Sequence, residues 1–346
     1  MKGLTFCGGG SVMRRNFILV GISILLLWVS GCSNTVNGEE DKAEYVLRLG
    51  HMQTETHPYH KGAMRFKETV ERESKGRIRI DIYPSSQLGN GRDQIEGAQI
   101  GSIHFHIGSV APVTNFAPKF NLLNLPYLFE SREHAFKVLD GEIGEQIASD
   151  LENRGLMNLG YMENGWRHMT NNKKPIKNAA DAEGLKLRVQ ESPPYISFIQ
   201  SLHSTPVPIP FGELYTALEQ HVVDGQENPL AQIYLNKLNE VQQYLTLTSH
   251  NYDAAVFIMS KTTYETLPSD LQSIIDDASK EAVAYEREEA LKDEEIILAQ
   301  LKETEIQIEE NPDIESFRES VKPVYKQFEK EIGKDIIKKV EDMREK

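Results

Sequence analysis

Cysteine is almost absent from this chain of 346 residues. Cys7 and Cys32 are its two cysteines, and both lie in the first tenth of the sequence. The rest of the chain therefore has no disulfide framework, no cysteine-ligated zinc site and no thiol nucleophile.

Basic residues are also in short supply. Lysine and arginine number 38 against 52 aspartates and glutamates, which gives a formal charge of -14 at pH 7. This balance argues against a nucleic-acid partner and against broad docking on anionic lipid. An anionic substrate would need a local basic site within an otherwise acidic protein.

Sequence signatures of catalysis and of cofactor binding are missing as well. The sequence has no Walker A loop, HExxH, EF-hand loop or GxSxG motif. Gly89-Asn90-Gly91 begins like a dinucleotide-binding loop, but Gln94 takes the place of its last glycine. We therefore expect no enzyme and no cofactor, although counting residues does not exclude a Ser/His/Asp triad.

Three groups of potential metal ligands lack a further ligand at a recognisable spacing. They are His57 with His60, His104 with His106, and Asp224 with Glu227 and Asn228. We interpret the histidines as core or surface residues and the oxygen-rich stretch as a turn that starts a helix. No metal site is expected.

Long hydrophobic runs are limited to one near the N-terminus. The apolar segment 17–29 follows two arginines and is too short for a comfortable membrane span, which needs roughly 20 residues. Val29-Ser30-Gly31-Cys32 comes next and resembles a bacterial lipobox. We predict a signal peptide over 1–31, lipidation of Cys32 and a polar tether over 32–43. An uncleaved helical anchor is the alternative, and either Met1 or Met13 is the start.

The rest of the sequence alternates between strand and helix patterns. Its length suits about two domains. Period-two alternation and apolar helical faces predict an α/β fold with a parallel sheet. The expected strands are 45–50, 77–83, 104–110, 156–162, 184–189, 245–248 and 254–259. The expected helices are 60–74, 131–154, 193–202, 211–221, 269–305 and a last segment that begins after Asn311-Pro312.

The predicted helix 269–305 is unusually long. Some 35 residues at 1.5 Å each span roughly 50 Å, which exceeds the width of one small domain. Such a helix could brace two domains; the alternative is a solvated surface helix with an undetected break.

Two arginines lie where an open α/β sheet places groups that bind ligands. Arg188 is near the end of the strand 184–189, and Arg167 follows the strand that is expected to end near Met162. Ligands of such sheets bind beyond the carboxyl ends of the strands. Because the planar guanidinium matches a carboxylate with two parallel hydrogen bonds, both arginines are candidates for binding an acid, although strand-end arginines often only bridge surface carboxylates.

Four stretches of the sequence resemble the solute-binding subunits of tripartite ATP-independent (TRAP) transporters, the dicarboxylate-receptor family. They are RIRIDIYPSSQLG at 77–89, NGWRHMT at 164–170, GLKLRVQ at 184–190 and FGELYTALEQHVVDGQENP at 211–229. The resemblance covers essentially the whole chain after the tether. It implies a periplasmic-binding-protein-like fold, with two α/β lobes around a ligand cleft and a long helix as brace.

The resemblance also implies lobe boundaries and site residues. Lobe I would comprise 44–164 with about 254–290, and lobe II would comprise 165–253 with about 291–346. Arg188 matches the family arginine that pairs with the substrate carboxylate, and Arg167 matches a second arginine of the same cleft. Asn228 matches an asparagine that hydrogen-bonds the same carboxylate, and Phe211 matches an aromatic wall of the cleft. Three further residues fall in loops that vary with the substrate: His57, Asn90 and Ser109.

The function implied is that of an extracytoplasmic, lipid-anchored binding protein. It would deliver a small organic acid, a carboxylate or dicarboxylate, to the small and large membrane subunits of a TRAP permease. A binding lobe of an ATP-driven importer or of a sensor kinase would have the same fold, and an exported hydrolase is a more distant alternative.

Overall fold

The computed structural model describes residues 43–344. The predicted signal peptide, the lipidation of Cys32 and the tether up to residue 42 lie outside the described residues. Within 43–344, no helix is both long enough and apolar enough to cross a membrane.

One mixed sheet of nine strands runs through the described part of the chain. The strand order is β2-β1-β3-β8-β4-β7-β5-β6, and β9 also pairs with β8. Pairs that include β1 or β5 are parallel, whereas β3/β8, β4/β8 and β4/β7 are antiparallel. The strands are β1 Tyr45–His51, β2 Ile78–Tyr83, β3 Phe105–Ser109, β4 Leu156–Asn171, β5 Lys186–Val189, β6 Thr205–Pro208, β7 Gly225–Pro229, β8 Tyr244–Ser260 and β9 Gln307–Glu309.

Twelve α-helices of the described range pack around this sheet. They are α1 Pro58–Glu73, α2 Gly91–Gln99, α3 Arg132–Leu139, α4 Glu142–Glu152, α5 Pro193–Ser201, α6 Leu214–Glu219, α7 Leu230–Leu235, α8 Lys261–Thr266, α9 Ser269–Lys302, α10 Ile314–Ser320, α11 Lys322–Ile332 and α12 Lys334–Asp342. The α/β fold class is confirmed. The predicted parallel pairing holds for β1 with β2 and β3 and for β5 with β6 and β7, whereas β4 pairs antiparallel with β7 and β8, and β8 antiparallel with β3.

The length of the two crossing strands, β4 and β8, was predicted wrongly. Strand β4 continues to Asn171, past the end expected at Met162, and β8 is one strand where two were expected. Both contain polar residues that indicated loops in the sequence. In the structure those residues, such as Asn164 in β4 and Asp253 in β8, are buried and hydrogen-bonded to each other, so the strands stay paired across them.

Three helical predictions also need correction. Ser131 caps α3 as expected, since its side chain accepts a hydrogen bond from the His134 N–H, but the helix ends at Leu139 and α4 begins after Gly141. The C-terminal segment is three helices, and Gly333 separates the last two at a φ of +98°, which favours glycine. The stretch expected to be a turn before a helix is instead strand β7.

The long helix α9 is confirmed. Its N-terminal half buries Leu271 and Ile275 in a hydrophobic cluster with α1 and strands β1 to β3. Its C-terminal half buries Ile297 and Leu301 in a second cluster with α6 and α7. One helix therefore packs into two separate hydrophobic clusters, as a brace would; the division into two lobes stays a prediction.

Candidate functional site

Arg188 lies in β5, which pairs in parallel with β6 on one side and with β7 on the other. It stands opposite Gln226 of β7. Its side chain is 1% exposed. The Nε–H donates to the carbonyl oxygen of Ile209 at 2.8 Å, while Nη1 is buried and has no partner within residues 43–344. Desolvation lowers the pKa of Arg188 to about 10, and the nearby charge of Arg167 acts in the same direction. The guanidinium is thus charged at neutral pH, buried and only partly satisfied, which is costly unless an anion binds.

Arg167 is also buried, but two acids already hold it. Its Nε and Nη2 donate to the two carboxylate oxygens of Glu227 at 2.5 and 2.9 Å, and Nη1 donates to Asp253 at 2.6 Å. The Nη2 also donates to the side-chain oxygen of Asn228 at 3.1 Å. The antiparallel pairing of β4 with β7 and β8 brings these residues together, because it sets Arg167 opposite Pro229 and Asn251.

Glu227 and Asp253 differ in whether the charge of Arg167 outweighs the effect of burial on the pKa. Burial alone would raise the pKa of Glu227, but Arg167 and a hydrogen bond from His250 at 3.1 Å hold it at about 2. Burial keeps the pKa of Asp253 above its usual value despite the same arginine. Glu227 is therefore ionised throughout the physiological range and forms a fixed bidentate partner of Arg167.

Hydrogen bonds extend this ion-pair network to both sides. Asp253 accepts from the Ser109 hydroxyl at 2.8 Å and from the Asn164 amide at 2.6 Å. Ser109 in turn accepts from Gln190 at 3.2 Å, and the Gln232 amide donates to Asn164. We refer to Arg167, Glu227, Asp253 and their hydrogen-bonded neighbours as the buried polar network.

The predicted site residues fall into three places. Arg188, Asn90 and Phe211 line one narrow cavity, in which the Asn90 side chain also caps α2 by accepting from the Asp93 N–H at 3.1 Å. Arg167, Asn228 and Ser109 belong to the buried polar network. The seventh, His57, caps α1 through Nδ1 and lines a second narrow cavity.

Comparison with known proteins decides the family. The model of the bacterial extracellular solute-binding proteins, family 7 (DctP), matches residues 49–331. The chain belongs to this family. It is an extracytoplasmic solute-binding protein of the TRAP transporter type, and the resemblance noted in its sequence is confirmed.

Similar proteins agree in sequence and in fold. The chain is 33% identical over 301 residues to the 2,3-diketo-L-gulonate-binding periplasmic protein of Escherichia coli K12, which covers 86% of this chain and 92% of that protein. A TRAP solute-binding protein from Polaromonas sp. JS666, bound to D-erythronate, has a TM-score of 0.85 at 37% identity over 87% of this chain and all of that one. One from Sulfurospirillum deleyianum with bound succinate has a TM-score of 0.85 at 35% identity over the same shares.

Two acids of the buried polar network could not be singled out from the sequence. Glu227 was noted only as part of an oxygen-rich stretch, and Asp253 lies in a polar run that was taken as the gap between two strands. Their partner Arg167 is 60 and 86 residues away along the chain. A signal was present nonetheless, since a carboxylate in the middle of a strand-like stretch indicates a buried charge pair.

A wider cavity adjoins the narrow His57 cavity, since Glu163 and Trp166 line both. It has a volume of about 530 Å³ and is lined by Arg132, Arg287, Arg318 and Leu291, with Trp166 as part of its wall. Arg132 and Arg287 pair with acids there, at Glu163 and Asp140. Neither Arg167 nor Arg188 lines this cavity.

Proposed function

We propose that this family 7 protein captures a small organic acid at Arg188 and delivers it to the two membrane subunits of a TRAP permease, without catalysing a reaction. The observation that carries the proposal is the unpaired Nη1 of a buried, charged guanidinium. A carboxylate would satisfy both its charge and its free N–H groups.

The similar proteins support an acid as the ligand. Those compared above carry D-erythronate, succinate or, by name, 2,3-diketo-L-gulonate, and all three ligands are carboxylates. Asn90 and Phe211 line the same cavity as Arg188 and are proposed to contact the ligand. For Arg167, Asn228 and Ser109 we propose a supporting role, because their side-chain polar atoms already bond other side chains of the protein.

We further propose that the cleft lies between the two predicted lobes and that a lipid on Cys32 holds the protein at the membrane. Contacts across the cleft support the first point: Gln190 binds Ser109, and Asn236 donates to Gln53 at 3.1 Å. Release of a Cys32→Ala variant from membranes, in detergent-free fractionation, checks the second point; equal association of variant and parent would contradict it.

A thermal-shift screen against a panel of organic acids tests the proposed function. An acid at 100 times its Kd stabilises the protein by about 2.7 kcal/mol, which raises Tm by several degrees. Arg188→Ala should lose this shift. Arg79→Ala removes an arginine that is exposed and paired with Asp81, so it should keep the shift. A panel in which no acid raises Tm, or an unchanged shift for Arg188→Ala, would refute the proposal.

A further inference from the structure

Four of the buried polar atoms that have no partner in the part of the chain that the structure describes flank the buried polar network. They are Nη1 of Arg188, the hydroxyl of Tyr59, Nε2 of His57 and Oε1 of Gln232. Each of these side chains belongs to a residue that is 1% exposed. Because buried polar atoms in folded proteins are almost always paired, four orphans in one region indicate partners that the chain itself does not supply.

The four orphans flank the network from two ends. Tyr59 lies close enough to Asp253 and Arg167 to feel their charges, and the His57 ring is 4.6 Å from the Tyr59 ring. Gln232 is joined to Asp253 through Asn164. On the other side, Arg188 feels the charges of Glu227 and Arg167. The two narrow cavities open at the corresponding ends, one at Arg188 and one at His57.

The charges around these orphans set how many carboxylates the site can hold. Among the buried groups, Arg167 and Arg188 contribute +2, and Glu227 and Asp253 contribute -2, so the sum is 0 with both acids ionised and +1 if Asp253 is protonated. Arg92 and Glu191 also line the Arg188 cavity and add +1 and -1, but Arg92 is exposed and paired with Glu96. The Arg167 side chain is already bonded to both acids. One ligand carboxylate can pair with Arg188, but a second would be buried without a free cation, which costs several kcal/mol.

The remaining orphans are of a different chemical kind. A tyrosine hydroxyl, a neutral imidazole nitrogen and an amide oxygen are uncharged hydrogen-bonding groups. Burial lowers the pKa of His57 and raises the pKa of Tyr59, so both stay neutral at physiological pH. Such groups match ligand hydroxyls, which donate and accept hydrogen bonds and bring no charge.

From this arrangement we infer that the ligand is a polyhydroxylated monocarboxylic acid and not a dicarboxylate. Its carboxylate binds Arg188, and its hydroxyls bind Tyr59, His57 and Gln232. The inference rests on the proposed function and narrows the substrate class of that same site. It also differs from the expectation that Arg167 binds the ligand acid.

Titration calorimetry of the processed full-length protein with two pairs of acids tests the inference. Each pair has equal carbon number: D-erythronate against succinate, and D-gluconate against adipate. The hydroxylated member of at least one pair should bind at least tenfold more tightly than its dicarboxylate. Tyr59→Phe should weaken that acid about 3- to 10-fold, the loss of one hydrogen bond, and leave the dicarboxylate unchanged.

Tyr59→Phe keeps the buried ring and removes a hydroxyl that has no protein partner within residues 43–344, so it should fold. Tyr264→Phe is the matched control, because that hydroxyl donates to Asp276 at 2.9 Å outside the site. A dicarboxylate that binds as tightly as its hydroxylated counterpart, with loss on Arg188→Ala, would overturn the inference and leave the proposed function standing. Binding of none of the four acids would also overturn the inference, whereas the proposed function fails only if no acid of the thermal-shift panel raises Tm.

Discussion

Glu286 shows how a single residue links the long helix to a crossing strand. Its carboxyl is fully buried on α9, one oxygen accepts from the backbone N–H of Glu163 in β4 at 2.8 Å, and the other has no partner among the described residues. Burial raises the pKa of Glu286 well above 4.5, and the neighbouring Glu163 raises it further. The carboxyl of Glu286 consequently stays protonated at pH values at which an exposed glutamate is ionised.

This raised pKa predicts a pH-dependent stability. The folded state binds the proton of Glu286 more tightly than the unfolded state, so the contribution is complete below about pH 4.5 and is lost as pH rises through the folded pKa. Tm of the parent should therefore fall between pH 5 and pH 8. Glu286→Gln should flatten this slope, and Glu288→Gln, at an exposed position of the same helix, should not. Equal slopes for Glu286→Gln and the parent would refute the assignment.

At the scale of single residues, the sequence placed Arg188 correctly in a strand but placed Arg167 after a strand that in fact includes it. Arg188 follows alternating residues of a short strand, and that local pattern correctly places it in β5. Arg167 was expected after a strand and as a candidate for binding an acid, but it lies within β4 and is bonded to two acids of the protein. Its two acid partners come from β7 and β8, and no local pattern reports a pairing that forms only when distant strands meet.

At the scale of elements, the two crossing strands were the hardest to predict. Their apolar ends alternate clearly, but their middles carry the polar residues of the site and indicated loops. The register between β4 and β8 shifts around Arg167, and Ser249 there has a φ of +43°. An irregular strand pair in the middle of the sheet, with hydrophobic clusters at both ends of α9, is the arrangement expected of a hinge.

We predict that ligand binding makes the molecule more compact by bending at these strands. Small-angle scattering of the processed protein should give a smaller radius of gyration with a bound acid than without it. Arg188→Ala at the same acid concentration should keep the larger radius, because it does not retain the ligand. Proven binding with an unchanged radius would argue for a rigid pocket.

At the scale of the whole molecule, the net charge is negative, the same sign as the charge of the proposed acid ligand. The chain carries -14, and removal of residues 1–31, with Lys2, Arg14 and Arg15, would make this -14 - 3 = -17. An acidic surface repels anions in general, so selective capture depends on the few buried cations that remain available. Of the two arginines in the buried site, Arg188 alone has an unpaired nitrogen within the described range. The proposed capture of an acid thus depends on this one guanidinium.

Titration calorimetry of Arg188→Lys with D-erythronate, or with the acid that gives the largest thermal shift, tests that dependence most directly. Lysine keeps the positive charge but lacks the planar fork, so one ligand oxygen loses its hydrogen bond in a water-poor site. We expect a loss of about 2–3 kcal/mol, or roughly 30–150-fold in Kd, with the variant still folded. Parental affinity in Arg188→Lys would contradict the account, because it would show that Arg188 does not hold the carboxylate.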